Sequence, residues 1–147
     1  VTPLVESGKA VPLFSLGLLD DDGKIVRDPA FPDLPTFNEV YQARHGEAPS
    51  GPAYEAFRKF FASGFALQKL IMVPRDTPQE LVDAYRDAAR EFVATDEFKQ
   101  DAEAQLGPYT PVIGDVIQRH LEDAMSIDEA TREWLAKWLE EKHNARI

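Results

Sequence analysis

The chain contains no cysteine, which excludes disulfides, thiolate nucleophiles and cysteine-based zinc sites but leaves the compartment open. It has no apolar run near the roughly 20 residues that a membrane-spanning helix needs. Its first residues, Val1-Thr2-Pro3-Leu4-Val5-Glu6, carry neither the charged start nor the apolar stretch of a signal peptide. Positive charge is scarce as well. Sixteen Lys and Arg stand against 26 Asp and Glu, for a net charge of −10. That field repels phosphate backbones and anionic lipid, so neither nucleic acid nor a membrane surface is an expected partner. What remains is a balanced composition: 147 residues, 44% hydrophobic and 29% charged, enough for one core or two small lobes sharing one.

The first third reads as strand and turn. Val11 to Leu16 is a short apolar run between Gly8 and Gly17, the pattern of a buried strand. Asp20-Asp21-Asp22-Gly23 predicts a turn, because these residues tolerate left-handed backbone. Ile25 and Val26 follow, and then the proline-rich stretch from Asp28 to Pro35, where each proline biases its predecessor toward extended conformation. Helices dominate afterwards. Thr36-Phe37-Asn38-Glu39, Thr77-Pro78-Gln79-Glu80 and Ser126-Ile127-Asp128-Glu129 all match the capping-box spacing.

The helix after Thr77 carries Leu81, Val82, Tyr85, Ala88, Ala89 and Phe92 on one face. Ala130, Trp134, Leu135, Trp138 and Leu139 do the same in the last helix. Further helices are predicted at Phe98–Leu106, Asp115–Met125 and Pro52–Ser63, the last packing through Tyr54, Phe57, Phe60 and Phe61. Leu67–Val73 reads as a second buried strand, and Gly107 to Pro111 as a break that can hold a short edge strand. Two strands cannot cover so many amphipathic helices, since sheets usually carry four or more. The expectation is therefore that the missing strands lie in another segment or chain.

Catalytic and metal motifs fare poorly. His45, His120 and His143 are far apart and none sits in a metal-ligand motif. His120 shares an apolar face with Val116, Ile117, Leu121 and Ala124, which predicts a satisfied core or boundary histidine. Taking Gly23 as the sixth position of a calcium loop puts Leu18 first, where a ligating side chain is needed, so a solvated hairpin turn is the better reading. There is no Gly-x-Ser-x-Gly elbow and no glycine-rich phosphate loop. No enzyme, metal or cofactor is expected. Gln68-Lys69 is a polar pair inside an apolar run. It either meets a carboxylate in a cleft or marks a strand edge.

Four ordered motifs resemble the receptors of tripartite tricarboxylate transporters, also called Bug proteins. They are Gly8-Lys9 followed by Val11-Pro12-Leu13-Phe14-Ser15; Phe31-Pro32-Asp33-Leu34-Pro35-Thr36 with Glu39; Val73-Pro74-Arg75-Asp76-Thr77-Pro78; and Leu106-Gly107. Together they span nearly the whole chain. Where the family strand often ends in Val-Thr, this chain reads Ser15-Leu16-Gly17. The resemblance implies an α/β fold, a helix-rich, strand-poor part of a type II periplasmic-binding-protein-like architecture. In its terms residues 1–45 end the second lobe, 46–66 form a crossover helix and hinge, and 67–147 return into the first lobe. Such receptors run to about twice this length, and the loops supplying most ligand contacts lie upstream of the matching region.

The implied function is periplasmic capture of a small carboxylate (a di- or tricarboxylate, or an aromatic or amino acid) for delivery to transporter membrane subunits. Backbone N–H groups and helix N-termini would hold it, with Ser15, Gly17, Gln68 and Lys69 facing the cleft. A homodimer through surfaces meant for the absent half is expected as well. The alternative is a stand-alone α-rich protein-interaction module that binds through its aromatic helix faces.

Overall fold

A computed structural model describes residues 2–67 and 69–146. The chain is helix-rich and carries one small antiparallel sheet. It divides into two compact units, Val1–Ser50 and Gly51–Ile147.

The first unit begins with a short helix, α1 (Thr2–Glu6), and an extended segment. A hairpin follows, β1 (Leu18–Leu19) paired with β2 (Ile25–Val26) in the register Leu18 to Val26 and Leu19 to Ile25. The predicted turn forms between them. The Asp20 carboxylate accepts from the N–H groups of Asp22 and Lys24 at 3.0 and 2.8 Å, and the Gly23 N–H donates to the Asp20 carbonyl at 2.9 Å. Asp20 is thus spent on its own backbone.

The helix α2 (Phe37–His45) starts at the predicted capping box. The Thr36 N–H donates to Glu39 Oε2 at 2.7 Å, and the Glu39 N–H donates back to Thr36 Oγ1 at 3.2 Å. A left-handed Gly46 closes the helix.

Val11 to Leu16 is not a strand. It makes one parallel bridge, Ser15 with Thr36, and leaves Val11 78% and Leu13 72% exposed. A strand needs a partner backbone along its length, and among the described residues only the loop at Pro35 to Phe37 comes alongside. The Ser15 N–H donates to the Pro35 carbonyl at 2.9 Å, and the Phe37 N–H donates to the Ser15 carbonyl at 3.1 Å.

In the second unit, α3 (Pro52–Phe61) packs on α6 (Asp115–Met125) and α7 (Glu129–His143), while α4 (Gln79–Ala94) packs on α5 (Asp96–Gln105). The buried positions of α3 are Ala56, Lys59 and Phe61. Of the aromatics predicted to form its packing face, Phe61 is buried, Tyr54 and Phe57 are half-buried, and Phe60 is 59% exposed. The helix then loosens into a π-turn, Ala62–Ala66. There the Ser63 hydroxyl donates to the carbonyls of Lys59 and Phe60, and the Leu67 N–H reaches back to Ala62. A hydroxyl competing for carbonyls, next to a glycine, is a known cause of such widening.

Two helix starts differ from expectation. At α4 the cap is Pro78 rather than Thr77, with no side-chain bond. At α7 it is Asp128 rather than Ser126, since Ser126 has already given its N–H and its hydroxyl to the Asp123 carbonyl that ends α6. Asp128 caps in its place, accepting from the Thr131 N–H at 2.9 Å and its hydroxyl at 2.7 Å.

Leu67–Val73 is not a strand either. Leu67 closes the π-turn, and residues 70–73 belong to no helix or strand, with Ile71 102% exposed. Gly107 to Pro111 forms no strand among the described residues.

Candidate functional site

Two places gather polar side chains around a defined geometry, one in each unit. The first is the corner where the Ser15 segment meets the start of α2. Ser15 is held on both sides by the two backbone bonds just described, and its Oγ is buried with no partner among the described residues. Gly17, two residues on, is buried with φ +81°, and a Cβ there would run into the Val26 carbonyl oxygen. Only glycine lets the chain pass so close to β2 in this left-handed conformation.

The anion-favouring end of α2 already has a resident. The Glu39 carboxylate takes the Thr36 N–H and is gripped by Arg27, whose Nε and Nη2 donate to it at 3.0 and 2.8 Å while Nη1 donates to the Pro32 carbonyl at 3.1 Å. The Arg27 hydrogen bonds and the Thr36 N–H hold the Glu39 carboxyl down to about 2. The same contact raises the pKa of Arg27 further. At this corner Ser15 Oγ is a buried polar atom without a partner among the described residues.

Of the four residues predicted to face a ligand, Ser15 and Gly17 therefore share one corner. Lys69 belongs to the second unit, is exposed, and forms no ion pair among the described residues. Gln68 lies outside the described residues.

The second place is an open crevice of about 420 Å³ lined by Glu55, Arg58, Lys59, Asp123, Ser126, Ile127 and Asp128. Lys59 is its centre. This lysine is buried, and its Nζ donates at 2.7 Å both to the Asp123 carboxylate and to the Asp123 carbonyl at the end of α6. Arg58 lies against the same carboxylate at 3.4 Å and against Glu55 at 3.3 Å. A cation at a helix C-terminus is favoured by the helix dipole, so Lys59 ties α3 to α6. The bonds from Thr131, backbone N–H first and hydroxyl second, lower the pKa of Asp128. Three carboxylates and two cations here largely neutralise one another.

Sequence reasoning missed this cluster. Its signal was a lysine three residues after Ala56, on the stripe that α3 turns inward, rather than any motif.

His120 is buried on the face its neighbours predicted, but it is not satisfied: Nε2 has no partner among the described residues. Among those residues no group of three or more His, Asp or Glu is placed to hold a metal ion, and no helix is long and apolar enough to cross a membrane. No family model, curated protein or solved structure matches the chain.

Proposed function

We propose that the chain is a component of a periplasmic solute receptor of the tripartite tricarboxylate transporter type. In this reading its α/β architecture is part of a type II periplasmic-binding-protein-like fold. The role is binding rather than catalysis: a small carboxylate is captured and delivered to the transporter's membrane subunits. One observation carries the reading. The first two motifs of the resemblance, the Val11–Ser15 segment and the Pro35–Glu39 capping box, lie side by side, with the Ser15 hydroxyl between them lacking a partner.

A buried hydroxyl without a partner costs about 1–3 kcal/mol, and a ligand carboxylate oxygen accepting from it recovers much of that. With Arg27 already committed to Glu39, the carboxylate at this corner is held by the Ser15 O–H, not by an ion pair. Closure of two lobes about a hinge completes the site in this reading.

The resemblance places most ligand contacts in loops outside this sequence, so binding by the chain itself is weak, about millimolar or roughly 4 kcal/mol. Calorimetry with succinate, citrate and glutamate, with a neutral amide as control, tests this. Heat that saturates in the millimolar range for carboxylates and is absent for the amide supports the reading. Micromolar binding would contradict the placing of most contacts elsewhere, and identical behaviour of the amide would contradict carboxylate recognition.

A second reading, the α-rich protein-interaction module, draws on the open face of α4. Leu81, Tyr85 and Phe92 are exposed there at helical spacing. It predicts a partner held through α4 and no response to carboxylates.

A further inference from the structure

The second unit holds its helices unequally. Its buried residues among those described lie on α3, the π-turn, α6 and α7, together with Leu67. From Lys69 to Arg119 every residue is half-buried or exposed. Helices α4 and α5 fall wholly inside that span and pack on each other, whereas α3 packs on α6, α7 and the π-turn. Each end of the α4–α5 hairpin continues into a stretch without helix or strand, 69–78 before α4 and 106–114 after α5.

The corner of the hairpin is firm. The Thr95 hydroxyl donates to the Phe92 carbonyl at 2.7 Å and accepts from the Phe98 N–H at 3.2 Å. The Phe92 and Phe98 rings meet edge to face, with 5.1 Å between centroids. The hairpin's tie to α6 is electrostatic. Arg86 Nη1 lies 3.0 Å from Oδ1 of Asp115, the first residue of α6. Arg90, one turn further along α4, brings its Nη2 to Gly114, where a Cβ would stand 3.1 Å from it.

We propose that the α4–α5 hairpin is a strap that opens as one body, latched to the start of α6 by Arg86 and Asp115. The inference is independent of the solute reading, because it needs neither ligand nor partner.

Two physical arguments carry it. A pair of helices without buried side chains loses little apolar contact on leaving, so it opens more readily than the helices that hold the core. The latch itself is finely balanced. Arg86 and Arg90 bring positive charge to a helix N-terminus, which the helix dipole opposes, and the Asp115 carboxylate turns the contact attractive. Arg90 pairs with Asp87 on its own helix at 2.6 Å, which leaves Asp115 to Arg86. The Asp115 side chain is 75% exposed, so dissolved salt screens the pair. The strap is held more firmly at low ionic strength and loosens as salt rises.

Native-state hydrogen exchange of the full chain tests the proposal. Amides of α4 and α5 are expected to share one opening equilibrium, at least about tenfold more open than the slowest amides of α3, α6 and α7. Raising sodium chloride from about 20 mM to about 500 mM increases that opening at least about twofold relative to the other three helices. Asp115→Asn at low salt has the larger effect, at least about threefold, and removes most of the salt response. In that background Arg86→Gln adds no further opening. Should Asp115→Asn lose helix content by circular dichroism, Arg86→Gln alone is measured in its place, with the same expectation. Exchange of α4 and α5 in step with α3, α6 and α7 overturns the proposal. So does independent opening of α4 and α5, or a hairpin opening that neither salt nor the loss of either latch residue changes.

Discussion

At the scale of single residues, Gly17 and Glu39 carry the first unit's geometry in ways that can be measured. Gly17 combines φ +81° with a Cβ position blocked by the Val26 carbonyl oxygen. Gly17→Ala is expected to cost at least about 1–3 kcal/mol from backbone strain alone, with the collision added, read as a lower midpoint in urea. Glu39 sets a pH window. Its carboxyl is lowered from the ordinary 4.5 to about 2 by Arg27 and the Thr36 N–H. A carboxyl with a lowered folded value stabilises the native state above the unfolded value and loses that contribution as pH falls through the folded one. The Thr36 amide proton, bonded to Glu39 Oε2, is therefore expected to titrate with a midpoint near 2. Glu39→Gln abolishes that titration. A midpoint at the ordinary carboxyl value would mean that Arg27 does not grip Glu39 in solution.

At the scale of elements, what sequence could show depended on how local the cause was. The Thr36 capping box, the Asp20 turn and helix α6 were legible because their bonds join residues a few positions apart. Capping at Ser126 was misread because Ser126, which matches the box as well as Asp128 caps it, is used to close the preceding helix. Both predicted strands failed for a non-local reason: Val11–Leu16 and Leu67–Val73 have strand composition, but pairing requires a neighbour that the sequence pattern cannot supply. Of the proposed corner, Ser15 ends the first motif and Gly17 lies two residues beyond it; that they meet Thr36 and β2 depends on non-local contacts that the sequence does not show. The Lys59 crevice was not legible either, because it is assembled from residues some 64 positions apart.

The Lys59–Asp123 tie makes an asymmetric prediction. Lys59 is 9% exposed at its side chain and Asp123 is 48% exposed. Asp123→Ala strands a buried ammonium and is expected to cost about 3 kcal/mol. Lys59→Met keeps the stem's volume and returns a half-exposed carboxylate to water and Arg58, so it should cost less than about 1.5 kcal/mol. Denaturant unfolding of the two variants in parallel decides the matter. The reverse order would show that Lys59 is not buried as an ion.

For the whole molecule, the governing fact is how little apolar surface is covered. The buried hydrophobic residues among those described are Ala56, Phe61, Ala62, Leu67 and Ala124, all in the second unit, in a chain that is 44% hydrophobic. Large apolar side chains stand in solvent in both units, among them Val11 and Leu13 in the first and Ile71 and Met72 in the second.

The proposed ligand corner lies in the first unit, and one residue-resolved measurement tests the functional claim there. Amide chemical shifts are followed while citrate is added to about 50 mM. The account predicts saturable shifts, with a dissociation constant near millimolar, confined to Ser15, Leu16, Gly17, Thr36 and Phe37, and lost in Ser15→Ala. No shifts at these amides, or shifts scattered over the exposed lysines and arginines and unchanged in Ser15→Ala, would contradict it.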